Sequence, residues 1–373
     1  MHIKLNRWYT LKKIDYKLFM SVVILAIFGS IMIYSSSHIW AEYKFNDAYK
    51  YFKNQFIFLI LGSILMYILS KINYNFYKKK SNLIILICFV LLVLVLIPGI
   101  GVVRNGSRSW FGIGGFGIQP SEAAKVGLVI FVAKYLSNNY SIMYDIKKGV
   151  LPIILVIGIF FILIMLEPDF GTAMVITMAL VAMIFISKVK LSFFVKIGVV
   201  GLLGIVALII IAPYRMARIV SFLNPWSDPL GSGFQIIQSL YAIGPGGLFG
   251  MGFGKSIQKH YYLPEPQTDF IFSIISEELG FLGVLIVSLF FVFIFYRCIK
   301  ISLNTKDLFG KYLCFGLSFM IIFQTILNLC VVIGLVPVTG VTLPFLSYGG
   351  SSLLVSMASI GIILNVSRNS YKI

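Results

Sequence analysis

The chain has 373 residues, 59% hydrophobic and only 12% charged, with a mean hydropathy of +0.96. These values exclude a disordered chain, a coiled coil and a soluble enzyme of ordinary composition, and leave a polytopic membrane protein. The net charge of +18, from 31 basic and 13 acidic residues, points to membrane orientation rather than to nucleic acid, because cytoplasmic loops of membrane proteins are rich in Lys and Arg.

Ten apolar runs, at about 17–35, 54–70, 81–101, 120–136, 150–166, 170–187, 192–212, 270–296, 312–334 and 345–366, predict ten transmembrane helices in an all-α fold. Ten spans of about 20 residues leave no room for a large soluble domain, so 1–373 reads as one integral membrane domain. The first run follows Lys4, Arg7, Lys12, Lys13 and Lys17 and ends at Ser35-Ser36-Ser37. It is long for a signal core and more spans follow, so an uncleaved first span is expected. Cys88, Cys298, Cys314 and Cys330 lie in or beside apolar runs without a C-x-x-C pair, which predicts buried free thiols. From Tyr312 to Ser367 no residue is charged, and Pro337, Gly340 and Pro344 mark a break in that stretch.

With the N-terminus inside, alternating spans place 21 basic residues inside and nine outside, with Lys125 within a span, and both termini cytoplasmic. Only Asp15, Asp145 and Asp307 among the acids fall inside. The concentration of the other ten outside or within the membrane points to chemistry on the outer side. The longest connection, about 213–269 between spans seven and eight, contains Phe222, Trp226, Phe234, Tyr241, Phe249, Tyr261 and Tyr262. It is too apolar for disorder and reads as a packed extracellular cap with short amphipathic helices at the interface.

Ionisable groups within spans are costly and mark function by default. Glu122 and Lys125 share one face at the start of span four; they read either as a helix-start acid with a partner or as an internal ion pair lining a polar cavity. Asp169, in Glu167-Pro168-Asp169, either caps span six or serves chemistry. Arg104, Arg108, Arg215 and Arg218, with Trp110, lie outside against the charge rule; they suit a diphosphate or anchor the chain to anionic headgroups. Thr268 or Asp269 could N-cap span eight, yet Asp269 at the membrane boundary beneath a cap also suits a general base. Glu277 and Glu278 lie about two turns deeper and need partners. No Walker, Rossmann, H-E-x-x-H or G-x-S-x-G motif is present, and the scattered histidines argue against zinc.

The motifs Gln119-Pro120-Ser121-Glu122 with Lys125, Glu167 to Thr172, Pro264-Glu265 with Thr268 to Phe272, Glu277 to Gly280 and Leu343 to Ser352, in that order over nearly the whole chain, resemble the SEDS family of RodA, FtsW and SpoVE. Compact length and short tails look more like RodA than FtsW. The resemblance implies a ten-helix peptidoglycan glycosyltransferase of the bacterial cytoplasmic membrane, active at its outer face in cell-wall elongation, cell shape and division. The implied substrate is lipid II, the partner a class B penicillin-binding protein, and a divalent cation, Mg or Mn, is one candidate for balancing the diphosphate. By the same resemblance Asp269 is the catalytic acid, and Glu122, Lys125, Asp169, Arg108 and Trp110 fall on family motifs. Glu265, Arg215 and Arg218 complete the candidate substrate-binding set. Gln267 stands where the family often has His. A lipid II flippase and a non-catalytic scaffold are the alternative readings.

Overall fold

The computed structural model describes residues 14–104, 106–113, 116–211, 213–368 and 370. Helix α1 (Tyr16–Phe45) starts where the Asp15 carboxylate accepts from the Leu18 N–H at 3.2 Å, and it ends at Asn46 in the left-handed region (φ 54°). The expected stop at Ser35–Ser37 does not occur. Ser36 and Ser37 return their hydroxyls to the Ile33 carbonyl at 3.2 and 2.6 Å, which lets polar residues continue a helix. Helices α2 (Lys50–Lys71) and α3 (Asn75–Leu96) follow.

The next segment corrects the all-α expectation. Strands β1 (Val102–Arg104), β2 (Ser107–Ile113) and β3 (Phe116–Ile118) form an antiparallel meander. The sequence carries its signal: Val, Trp, Phe and Ile runs punctuated by Asn105-Gly106 and Gly114-Gly115, pairs suited to tight hairpins.

Helix α4 (Pro120–Asn138) opens with proline in its first turn, where the missing N–H costs nothing. A π-helical turn, Ile146–Val150, leads into α5 (Leu151–Leu166), then α6 (Phe170–Phe185) and α7 (Leu191–Ile211). The long connection folds into α8 (Pro213–Leu223), α9 (Phe234–Ile243) and a series of turns, so the expected short helices are present.

Helix α10 (Ile271–Asn304) has 34 residues, about 51 Å at 1.5 Å per residue, well beyond a ~30 Å hydrocarbon core. It breaks at Gly280 (φ 64°, ψ −163°). There the preceding loop inserts: Met251 and Gly252 N–H groups donate to the Glu277 and Glu278 carbonyls at 2.9 and 3.0 Å. Beyond the break, Phe281 and Leu282 donate to Gly247 and Leu248 at 2.9 and 3.1 Å. A β-carbon at Gly280 would collide with the Leu248–Gly250 backbone, so glycine is required on both counts. Glu277 and Glu278 are fully buried about two turns into α10. They lie on the short piece before the break, and 281–304 is long enough to cross alone.

Helix α11 (Leu308–Val332) starts at Asp307, which accepts from Gly310, and α12 (Gly350–Ser367) closes the chain. The non-helical stretch between them contains the expected Pro337, Gly340 and Pro344. Each of the ten apolar runs overlaps one helix, although 81–101 runs past the end of α3 and 345–366 begins before α12. Among the described residues seven helices are long and apolar enough to cross a membrane.

α11 is the centre of the bundle, packed against α4, α6, α10 and α12; α12 packs on α2, and α1 on α2 and α10. Gly361 lets α12 approach the Met66 backbone of α2 at van der Waals range. Leu86 of α3, Leu155 of α5 and Leu202 of α7 point outward, the apolar exterior that lipid requires. α7 packs chiefly on α8. Cys88, Cys298 and Cys314 are buried free thiols, and Cys330 is partly exposed.

Candidate active site

The start of α4 puts Glu122 and Lys125 on one face, at 5% and 3% exposure. Lys125 Nζ lies 2.8 Å from Glu122 Oε1 and donates to Gln324 Oε1 at 2.8 Å. Glu122 is a first-turn acid with its partner on the next turn, and burial under α11 makes the pair internal. Glu122 Oε2 has no protein donor.

Asp169 stands at the N-cap of α6. Its Oδ1 accepts from the Thr172 N–H at 3.0 Å and caps α6, while Oδ2 accepts from Gln119 Nε2 at 2.9 Å. Burial raises its pKa above the usual carboxylate range; the Thr172 bonds oppose this, and it also feels the charges of Glu122 and Lys125. Two residues earlier, Glu167 is fully buried and, among the described residues, neither carboxyl oxygen meets a donor. Burial, then the charge of Asp169, pushes its pKa up to about 9, so it is neutral at pH 7.

Asp269 lies just before α10, but neither it nor Thr268 caps the helix. Phe270 is the N-cap residue, with no side-chain cap. Thr268 instead closes its own turn, donating its N–H and hydroxyl to the Glu265 carbonyl at 3.0 and 2.7 Å. The half-buried Asp269 carboxyl has its pKa raised by loss of water, opposed by hydrogen bonding with Thr268 and by the charge of Arg218. Arg218, on α8, donates to the Val338 carbonyl at 2.9 Å. Gly340 (φ 73°) carries the backbone past Asp269: a β-carbon there would stand 4.0 Å from Oδ2.

Helix α11 connects these groups. Asn328 Nδ2 donates to the Asp269 carbonyl at 2.7 Å and to Val341 O at 2.8 Å. Gln324 Nε2 donates to Thr342 O at 2.9 Å while its oxygen takes Lys125. Thr342 and Ser352 hydroxyls lie 3.0 Å apart, and Tyr348 N–H donates to Gln267 O at 2.8 Å. Sequence reasoning missed Gln119, Gln324 and Asn328. Their signal is uncharged amides in otherwise apolar surroundings, four residues apart in the last two cases.

The structure does not gather every expected residue. Side chains alternate along β2. Ser107, whose hydroxyl donates to the Glu167 carbonyl and lies 3.0 Å from Ser109 Oγ, shares a face with Ser109. Arg108 and Trp110 take the other face, and Arg108 Nη1 points to the Leu96 carbonyl at 3.5 Å. Glu265 is exposed, with φ 44°, and contributes its carbonyl to the Thr268 turn. The side chains of Arg104 and Arg215 lie outside the described residues. Glu277 and Glu278 are partnered away from Asp269: Glu277 by Ser256 and the Ile257 N–H, Glu278 by Ser35 and by Lys259 at 2.9 Å. Among the described residues no group of three or more His, Cys, Asp or Glu side chains is arranged to hold a metal ion.

The profile of the FtsW/RodA/SpoVE family of cell cycle proteins matches residues 16–372. Stage V sporulation protein E of Bacillus subtilis (strain 168) is 50% identical over 356 residues, 95% of this chain and 97% of that one. A probable peptidoglycan glycosyltransferase FtsW of Geobacter sp. (strain M18) is 40% identical over 95% of this chain and 96% of its own. Among solved structures, a chain of a peptidoglycan synthase complex that coordinates polymerisation and crosslinking superposes with a TM-score of 0.77 at 30% identity, covering 96% of this chain and 99% of that one. The rod shape determining protein RodA of Thermus thermophilus gives 0.71 at 28% identity, covering 96% and 98%. Compact length and short tails are therefore a weak guide to the branch, since a sporulation protein shares far more sequence with this chain than that RodA does. The motifs, the fold and these matches agree, and the chain belongs to the FtsW/RodA/SpoVE family.

Proposed function

We propose that this chain is a peptidoglycan glycosyltransferase that polymerises lipid II into glycan strands at the outer face of the bacterial cytoplasmic membrane. The observation that carries the reading is Asp269: a half-buried carboxylate with a raised pKa beside the charge of Arg218, at the end of the bundle where the long 213–270 connection lies. Ten spans with both termini cytoplasmic place that end outside, supported by the 21-to-9 distribution of basic residues. The whole of 1–373 acts as one membrane domain. A class B penicillin-binding protein is the partner, supported by the likeness to a chain of a synthase complex that couples polymerisation to crosslinking.

The chemistry follows from the donor linkage. Lipid II carries an α-linked diphosphate and the glycan is β-linked, so one in-line displacement with inversion suffices. Asp269 accepts the proton of the acceptor GlcNAc 4-hydroxyl as that oxygen bonds to C1 of the donor MurNAc. The C1–O bond breaks, its electron pair leaves with undecaprenyl diphosphate, and Arg218 offsets the departing charge. Among the described residues the carboxylates do not assemble a three-ligand cation site. Asp169 with Gln119, and the Glu122–Lys125 pair joined to Gln324, supply further polar groups at the starts of α6 and α4.

The test uses the purified chain with its cognate transpeptidase and labelled lipid II. Wild type yields muramidase-sensitive polymer; Asp269→Asn folds and yields at least about 100-fold less, the scale of losing a general base. Polymer at the wild-type rate from Asp269→Asn moves the base elsewhere. Absence of polymer from a folded wild-type complex makes a flippase or a scaffold the better reading.

A further inference from the structure

Gln324 and Asn328 stand one helical turn apart on the same face of α11, at 3% and 0% exposure. Their amide groups bond two successive carbonyls, Thr342 O and Val341 O, at 2.9 and 2.8 Å. Each amide also has a second task. Gln324 takes the ammonium of Lys125 on its oxygen, and Asn328 spends its other N–H on the Asp269 carbonyl at 2.7 Å. Two residues on one rigid helix thus bind three separate segments: the buried Glu122–Lys125 pair of α4, the 341–342 backbone and the turn bearing Asp269. The Asp269 turn has no capping bond of its own to α10, and Gly340, next to the clamped carbonyls, is the backbone that faces Asp269 Oδ2.

We infer that Asn328 and Gln324 are positioning residues, an amide ladder that fixes the Asp269 carboxylate relative to the Lys125 side of the site. The inference rests on the reading of Asp269 as the general base. The ladder acts by donating hydrogen bonds, not by filling space. Without it the Asp269 turn loses its bond to α11 while keeping the Gln267–Tyr348 backbone bond, and misplacing a reacting group by 1 Å costs about 100-fold in rate.

The test compares shape with donor capacity in the purified complex. Asn328→Asp keeps the shape and loses the donor pair; Asn328→Ser is smaller and keeps one donor. The ladder predicts a kcat about 10- to 100-fold below wild type for Asn328→Asp, with KM for lipid II within about threefold. It predicts a higher kcat for Asn328→Ser than for Asn328→Asp. The acid limb of log kcat in Asn328→Ser moves to lower pH, because a loosened turn lets water back to Asp269. Gln324→Glu, which retains the acceptor for Lys125 and loses the donor to Thr342, lowers kcat in the same way and keeps the argument testable if Asn328→Asp does not fold. A packing role gives the opposite order, Asp above Ser, with melting temperature tracking activity and the acid limb unmoved; that result overturns the inference. The base reading stands apart: an inactive Asp269→Asn beside normal kcat in both Asn328→Asp and Gln324→Glu sinks the ladder alone, whereas an active Asp269→Asn sinks the base.

Discussion

Two carboxyl groups two residues apart meet different fates because their partners differ. Asp169 has the Thr172 N–H and the Gln119 amide on its oxygens; Glu167 has no donor on either. Burial without donors favours the protonated form of an acid. Its folded pKa of about 9 lies above its ordinary 4.5, so across that window the folded state keeps a proton the unfolded chain has lost. Stability from this residue is full below pH 4.5, declines as pH rises and is gone above about 9. Glu167→Gln mimics the neutral acid. Thermal unfolding in detergent from pH 6 to 9 should show wild type losing Tm with rising pH, and Glu167→Gln losing measurably less. Parallel curves refute the assignment. At this scale Asp269, Asp169, Glu122 and Lys125 were legible, because a charge in an apolar sequence is conspicuous. Gln324 and Asn328 were not, because an amide in a helix reads as ordinary until its partners are known. The direction of Arg108 was equally hidden, since it depends on a strand period in a segment read as irregular loop.

Among the elements, α10 departs furthest from its apolar pattern. Apolar residues flank Glu277 and Glu278 on both sides, so a single span starting near residue 270 was the natural reading. The break is imposed from outside, by loop backbone that bonds to both sides of it. The loop is secured by buried polar contacts as well. Lys259 Nζ lies 2.9 Å from Glu278 Oε1 and donates to the Gly254 carbonyl at 2.6 Å, with both ionic side chains almost wholly buried. Removing one partner of such a pair leaves an uncompensated charge and costs about 3–5 kcal/mol. Glu278→Gln should therefore lower Tm and speed proteolysis within 246–260, while Glu278→Gln with Lys259→Met recovers part of the loss. A single variant as stable as wild type would show that the pair holds nothing. The β-meander was the converse case: its turn dipeptides were present in the sequence, and the expectation of an all-helical chain overrode them.

For the whole molecule, the apolar runs located the long helices, while termini and lengths moved wherever side chains, not hydropathy, decided the ends. α1 ran on through its serines for that reason. The proposed topology is open to direct labelling. Leu230, 89% exposed in the long connection, and Tyr144, 61% exposed between α4 and α5, should lie on opposite sides of the membrane. With the partly exposed Cys330 replaced by Ser, Leu230→Cys should react with a membrane-impermeant maleimide in intact cells, and Tyr144→Cys only after permeabilisation. The reverse pattern inverts the orientation, and equal labelling of both defeats it.

The three acids that the proposed topology puts on the inner side share one use. Asp15, Asp145 and Asp307 each accept backbone N–H groups at the start of a helical segment, and Asp15 also holds Arg297 at 2.6 Å. Against 21 basic residues on that side, three acids already engaged in capping leave a large positive surplus, and the balancing counter-ions must come from outside the chain. An anionic leaflet supplies them at about 1 kcal/mol per cation near the surface. The bilayer is then an ionic component of this enzyme as well as its solvent.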